Sequence, residues 1–273
     1  MVIKIIIFAI LYNIIHYFTM TNLQIKFISL LDDYGYDVFN LEMIRNTNSF
    51  HDREINNVIR SLIRNGLLNR IERGKYVRSS FSDDNVIANF MANDGGIAYW
   101  SALNAHGLTE QFANRTFVQT AKAKKDLSDR NRQYIFIKVP EYKLFGYKTY
   151  GFGNHVYKIT DVEKTIIDCF DLPQYSGWYQ ETIKGFNKAI LYQSKMIKYC
   201  KSMQNNSLIK RLGFLADFLE KPKMDEFIKY AQSIINTDYS LFEIGGEKEG
   251  EYDSKWKLVL NIPRNEIFEI ANS

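Results

Sequence analysis

Cysteine is nearly missing from this chain of 273 residues, which has two, Cys169 and Cys200. They stand far apart and form no CxxC motif, which excludes a disulfide framework and a thiolate metal cage and points to a reducing, cytoplasmic compartment. Histidine is nearly as scarce. His16, His51, His106 and His155 show neither HxxxH nor HExxH spacing, so a catalytic zinc has no ligand set, and no metal or cofactor is expected. A large excess of charge is also lacking, at +4 net. No GxxxxGK[ST] pattern follows the double glycine Gly95-Gly96, so that pair reads as a turn and not as a phosphate loop. With 46% hydrophobic and 24% charged residues the composition is that of a globular protein, and neither disorder nor a fibrous class is favoured. The length suits two modest domains or one domain with an appendage.

The one long apolar run is the leader MVIKIIIFAILYNIIHYFTM. It falls short of the about 20 apolar residues that a spanning helix needs. Tyr17-Phe18-Thr19-Met20 offers no small-residue cleavage site. Met20 opens MTNLQIKFISLLDDYG, an ordinary start for a soluble domain, so residues 1–20 read as an over-long start and no membrane attachment is expected.

What the chain does have is arginine around one turn, in RSLIRNGLLNRIERGKYVR, residues 60–78. Upstream, Ile25, Ile28 and Leu31 suit a first helix ending near Tyr34-Gly35-Tyr36, and Leu41 with Ile44 suits a short second one. Ser49 and Asp52 have capping-box spacing and announce a third helix, which Gly66 ends. Ile55, Val58, Ile59, Leu62 and Ile63 follow i, i+3, i+4, i+7, i+8 spacing and make one buried stripe. At about 100° per residue, Arg53, Asn57, Arg60 and Arg64 fall together on the opposite face. Guanidinium groups neutralise phosphates or fork onto guanine, and an amide reads adenine, so these are the side chains a helix in a major groove needs.

After Gly66, LLNRIERGKYV is short, rich in Leu, Ile, Tyr and Val, and broken at Arg73-Gly74, the pattern of a β-hairpin. Three helices and a hairpin are the order of a winged helix-turn-helix. Arg70, Arg73, Lys75 and Arg78 on that wing are expected to carry positive charge toward the phosphates beside the recognition helix. A domain boundary is placed in the polar stretch after Ser79, giving residues 21–80 to the DNA-binding domain and 81–273 to a larger one.

In that larger part, Ala98 to Ala105 reads as a short helix closed by Gly107. Thr116–Thr120, Tyr134–Val139, Tyr147–Phe152 and Val156–Ile159 read as strands of an antiparallel or mixed sheet. Thr160 and Glu163 are spaced as a capping box opening another helix. Most of the chain beyond Pro173 is helical in pattern, with two strands near the end flanking the acidic loop GGEKEGEYD. The fold class expected is α+β: a winged helix-turn-helix, then a mixed α/β domain with a helical C-terminal part.

Other stretches imitate binding or catalytic sites. AKAKKDLSDRNRQ carries Lys122, Lys124, Lys125, Arg130 and Arg132, but no aromatic interleaves with the charges as base stacking requires, so a solvated loop is favoured. Asp161, Glu163 and Asp168 imitate a catalytic carboxylate set, yet capping and the helix dipole account for the first two. Glu141-Tyr142-Lys143 imitates the acid-x-lysine half of a metal-dependent nuclease, while the aspartates able to complete it, Asp94, Asp126 and Asp129, fall in loops. No catalytic residue is assigned.

The succession RIERGKYV, IAYWSALNAHGLTEQ, KITDVEKTIIDCFDLP and IKRLGFLADFLEK resembles, over roughly Leu23 to Glu220, the AbiEi antitoxin family of type IV toxin-antitoxin (abortive-infection) systems. The resemblance implies an autorepressor whose winged helix binds an operator of inverted repeats, possibly as a homodimer, and whose second domain counters a nucleotidyltransferase-like toxin without a stable complex. It implies DNA-facing roles for Arg53, Asn57, Arg60 and Arg64, with Arg73 and Lys75 at the wing tip, and it supplies no catalytic residues. The leader and the tail after Glu220 depart from the family pattern. The alternatives kept beside it are a stand-alone winged-helix regulator, a protein-binding adaptor and the nuclease.

Overall fold

A computed structural model describes residues 20–111, 114–129 and 132–273. The apolar leader as far as residue 19 lies outside the described residues, as does Arg130. The chain divides into two compact units: the first holds residues 20–91 and Gly151–Val156, the second Ala92–Tyr150 and Tyr157–Ser273. Among the described residues there are eleven α-helices and three sheets. No helix among them is long and apolar enough to cross a membrane.

The first unit opens with α1 (Asn22–Asp33). Its start is fixed reciprocally: Thr21 Oγ1 accepts from the Gln24 N–H at 3.3 Å, and Gln24 Oε1 accepts from the Thr21 N–H at 2.8 Å. Strand β1 (Val38–Asn40) runs directly into α2 (Leu41–Asn46), where Asn40 Oδ1 accepts from the Met43 N–H at 2.8 Å. Then come α3 (Asp52–Arg64), β2 (Leu68–Glu72), β3 (Lys75–Arg78) and α4 (Asp84–Ala92). The strands pair in the order β1-β3-β2, antiparallel throughout. Phe27, Phe39, Ile44, Val58, Leu62 and Tyr76 are among the buried side chains that join helices and sheet in one core.

Two details differ from the sequence reading. The cap of α3 is not Ser49 with Asp52: the helix starts later, with His51 at N-cap and Glu54 Oε2 accepting from the His51 N–H at 2.8 Å. The longer glutamate reaches back to the cap amide, and the Ser49 hydroxyl is occupied by the Thr47 carbonyl at 3.2 Å. The domain boundary also moves. Helix α4 belongs, as far as Met91, to the first unit, where Val86, Ile87 and Met91 are buried, so the division lies beyond Met91 and not after Ser80.

The first unit also receives Gly151–Val156 from much later in the chain. His155 Nε2 lies 2.9 Å from Asp37 Oδ2, the His155 ring stands 5.0 Å from that of Phe81, and Asn154 Nδ2 donates to the Tyr34 carbonyl.

The second unit is built on a six-stranded sheet of order β6-β7-β5-β4-β9-β8. Its strands are β4 (Gly96–Ile97), β5 (Arg115–Thr120), β6 (Leu127–Asp129), β7 (Arg132–Lys138), β8 (Tyr147–Tyr150) and β9 (Tyr157–Thr160). Pairs β5–β7 and β4–β9 are parallel and the others antiparallel, a mixed sheet. The double glycine is explained by this crossing. A Cβ on Gly95 would lie 1.6 Å from the Gln119 carbonyl oxygen, and one on Gly96 2.8 Å from the Tyr147 ring. The pair therefore permits close backbone approach inside the sheet. Gly95→Ala is expected to destabilise the second unit by about 3 kcal/mol or more, because backbone and not a movable side chain blocks the methyl; a thermal melt of the full chain checks it.

Around the sheet lie α5 (Tyr99–Ala105), α6 (Val162–Asp171), α7 (Trp178–Lys188), α8 (Gln193–Met203), α9 (Asn206–Phe218), α10 (Asp225–Ile234) and α11 (Arg264–Asn272). A small third sheet, β10 (Ser240–Leu241), β12 (Leu258–Leu260) and β11 (Glu251–Asp253) in that order, closes the C-terminal part. Trp256 is buried there, its Nε1–H donating to Asp217 Oδ2 at 2.9 Å.

Candidate nucleic-acid interface

Helix α3 sorts its side chains as its periodicity requires. Ile55, Val58, Ile59 and Leu62 are buried, while Arg53, Asn57, Arg60 and Arg64 are all exposed. Spaced i, i+4, i+7 and i+11, the outward four lie within about 60° of one another and span about 16 Å of helix. The helix is held from behind and at its start. Gln24 Nε2 donates to Ser61 Oγ at 2.6 Å, and Arg45 Nε donates to Asp52 Oδ1 at 2.8 Å, tying the end of α2 to the beginning of α3. Gly66, at φ 71°, ends it, with the Leu67 N–H donating to the Leu62 carbonyl at 2.9 Å.

Electrostatically the outward stripe is open. Among the described residues none of Arg53, Arg60 and Arg64 makes an ion pair, so their charges face solvent uncompensated. The neighbouring carboxylates are engaged elsewhere: Asp52 by Arg45, Glu54 by the helix cap.

The β2–β3 hairpin turns at Arg73-Gly74, where Gly74 has φ 77°. Its basic residues divide in a way the sequence did not announce. Arg70 and Arg73 are exposed, Arg70 with its Nε donating to the Glu72 carbonyl at 3.3 Å. Lys75 is turned inward, correcting its placement at the tip. Its side chain is 13% exposed, and Nζ donates to the Phe90 and Met91 carbonyls at 3.0 and 3.1 Å. Arg78 is inward too, its Nη1 2.7 Å from Asp32 Oδ1 and 3.7 Å from Asp37 Oδ1. Both lie in the strand that pairs on two sides, so their stems follow the sheet into the unit instead of leaving at the turn.

The rival motifs are placed as follows. Glu141–Lys143 is one turn of 3-10 helix, with Lys143 Nζ 2.6 Å from Asp171 Oδ2. Asp94 accepts from Thr120 Oγ1 at 2.8 Å and Asp126 from the Phe136 N–H at 3.0 Å. Among the described residues neither carboxylate shares a hydrogen bond or ion pair with Glu141, and no group of three or more His, Cys, Asp or Glu is arranged to hold a metal ion.

Nor do the carboxylates of α6 form the imagined set. The helix is capped by Asp161 and not by Thr160, Asp161 Oδ1 accepting from the Lys164 N–H at 3.0 Å, because the Thr160 hydroxyl is occupied by Thr165. Glu163 is buried and accepts from the Tyr192 N–H and Lys195 Nζ, pinning the start of α8. Asp168 pairs with the fully buried Lys164 one turn away, and its second oxygen, Oδ2, has no hydrogen-bond partner among the described residues. Burial pushes the Asp168 carboxyl up to about 6, against the pull of the Lys164 ammonium. The i, i+4 spacing of Lys164 and Asp168 in KTIID is the sequence signal for this pair.

No family model matches the chain, and no curated protein matches it. Among solved structures it is similar to the RV2827C protein from Mycobacterium tuberculosis, at 14% sequence identity and a TM-score of 0.64, over 93% of this chain and 96% of that one. At that identity the likeness shows the fold alone.

Proposed function

We propose that the first unit is a winged helix-turn-helix that binds duplex DNA, α3 entering the major groove and the β2–β3 hairpin lying along the phosphates as the wing. The observation that carries the reading is the outward stripe Arg53, Asn57, Arg60 and Arg64, exposed and without ion pairs on the third helix of a helical trio that leads into a hairpin. Exposed arginines occur on many helices, and what favours DNA here is the coincidence of stripe, helix order and a second pair of outward arginines on the adjoining hairpin. On this reading the chain is a cytoplasmic transcriptional repressor of its own operon. The resemblance to AbiEi proteins adds the antitoxin role, with a nucleotidyltransferase-like toxin as the counterpart and no stable complex between them.

A mobility-shift titration tests it, using a duplex from the DNA immediately upstream of this chain's coding sequence and an unrelated duplex. The expected result is salt-sensitive binding with preference for the upstream duplex. Arg73→Ala should weaken binding to both duplexes alike and flatten the plot of log K against log salt by about one unit, the mark of a lost phosphate contact. A purely protein-binding adaptor would give no salt-sensitive association with either. The antitoxin role has its own test: co-expression with the product of a neighbouring nucleotidyltransferase-like reading frame should restore growth that the toxin alone arrests.

A further inference from the structure

The tip of the hairpin is fixed from two directions. On one side the Gly74 carbonyl accepts from the Leu41 N–H at 3.1 Å, at the start of α2. On the other, the Lys75 ammonium reaches the last carbonyls of α4, those of Phe90 and Met91, and stands 5.3 Å from the centre of the Phe90 ring. Glu72, at the opposite foot of the turn, is 3.5 Å from the same ammonium. A cation at a helix C-terminus is favoured by the unsatisfied carbonyls and by the helix dipole, more so when it is largely withdrawn from water. Between these anchors stands Arg73, the outward side chain of the two-residue turn.

We infer that Lys75 is a positioning residue for DNA binding: seated on the end of α4, it holds the hairpin turn so that Arg73 is presented to the phosphate backbone, and it touches no phosphate itself. The inference rests on the DNA-binding reading. It separates two lysine roles that composition cannot tell apart, and the separation is measurable. A phosphate contact of its own adds to the salt slope whether or not Arg73 is present, whereas a side chain that only orients Arg73 can lose no more than Arg73 supplies and has nothing left to lose once Arg73 is removed. The seat also lies at the point where the chain leaves the first unit, beyond Met91, so the hairpin turn and that exit share one side chain.

The experiment compares wild type, Lys75→Met, Lys75→Arg, Arg73→Ala and Arg60→Ala as full-length chains bound to the upstream duplex, by anisotropy over a salt series well below the melting temperature. Active fractions are fixed by stoichiometric titration, so that lost stability is not read as lost affinity. Lys75→Met should weaken binding and lower the salt slope by no more than Arg73→Ala does, and the double variant Lys75→Met/Arg73→Ala, added to the series, should lose no more affinity or slope than Arg73→Ala alone. Lys75→Arg, which keeps the charge and several donors, should recover most of the affinity. Amide exchange over residues 70–78 should quicken in Lys75→Met and not in Arg73→Ala.

If Lys75→Met does not fold, Lys75→Gln, neutral but still a donor to one carbonyl, takes its place with the same expectations. A further loss of affinity and slope when Lys75→Met is added to Arg73→Ala would make Lys75 a phosphate ligand in its own right and overturn the inference. Unchanged affinity would overturn it equally. Unchanged binding by Arg60→Ala as well would instead remove the DNA-binding reading on which it stands.

Discussion

Replacing Arg60 and Arg64 together by alanine is expected to weaken binding to the upstream duplex by about a hundredfold or more, at about 1–3 kcal/mol for each contact. The melting temperature should stay where it is. Both side chains are exposed and make no ion pair among the described residues, so the folded state loses no internal contact. Leu62, on the other side of the same helix, is the contrasting case. It is fully buried, and Leu62→Ala should cost about 2–5 kcal/mol of stability. A variant pair in which Arg60→Ala/Arg64→Ala spares the fold and abolishes binding, while Leu62→Ala lowers stability first, assigns each face of α3 its role. If the arginine double variant binds like wild type, the proposed face is not the binding surface.

The second large effect lies in the other unit. Lys164→Met is expected to destabilise it by about 3–5 kcal/mol, because Asp168 would be left buried without its cation, either charged and unpaired or protonated with unsatisfied oxygens. Lys164 is fully buried and Asp168 nearly so. Lys164→Met/Asp168→Leu should regain most of that loss, since replacing a whole buried pair by apolar groups is close to neutral. Denaturant unfolding followed by a probe in the second unit measures both, and a double variant no more stable than the single would contradict the account.

The same carboxylate gives stability a pH dependence of definite sign. Its folded value, about 6, lies above the ordinary 3.8, so the folded state holds the proton where the unfolded chain has released it. Stability is therefore lost as pH rises from near 4 through 6, by at most about 1.4 kcal/mol per pH unit. Asp168→Asn lacks this component, and its stability relative to wild type should improve over that interval; parallel curves would show that Asp168 does not titrate there.

Much of the first unit was legible because its information is local. The buried stripe of α3, the stop at Gly66 and the hairpin turn at Arg73-Gly74 are each written within a few residues, and each stands where the spacing put it. The errors come from contacts distant in sequence. Lys75 reads as wing-tip charge in sequence, whereas the Phe90 and Met91 carbonyls that its ammonium reaches lie 15 and 16 residues further on. The return of Gly151–Val156 to the first unit could not be read either, since His155 and Asp37 are joined by no local pattern. Caps were found to within two residues: α3 starts two residues beyond Ser49, where Glu54 reaches the His51 amide, and α6 is capped by Asp161, one residue beyond Thr160. Gly95-Gly96 reads as a turn in sequence, whereas Gly96 lies in β4, and the reason for the pair, a backbone approach too close for any Cβ, appears only in the assembled sheet.

The most direct test of the central claim is the salt dependence of wild-type binding to the upstream duplex. Five outward arginines, Arg53, Arg60, Arg64, Arg70 and Arg73, bound the number of phosphates one protomer can neutralise. At about −0.9 per phosphate, the plot of log K against log salt should fall with a slope no steeper than about −4.5 per protomer and clearly different from zero. A slope near zero, or no association at low salt, would contradict the assignment of this surface to DNA.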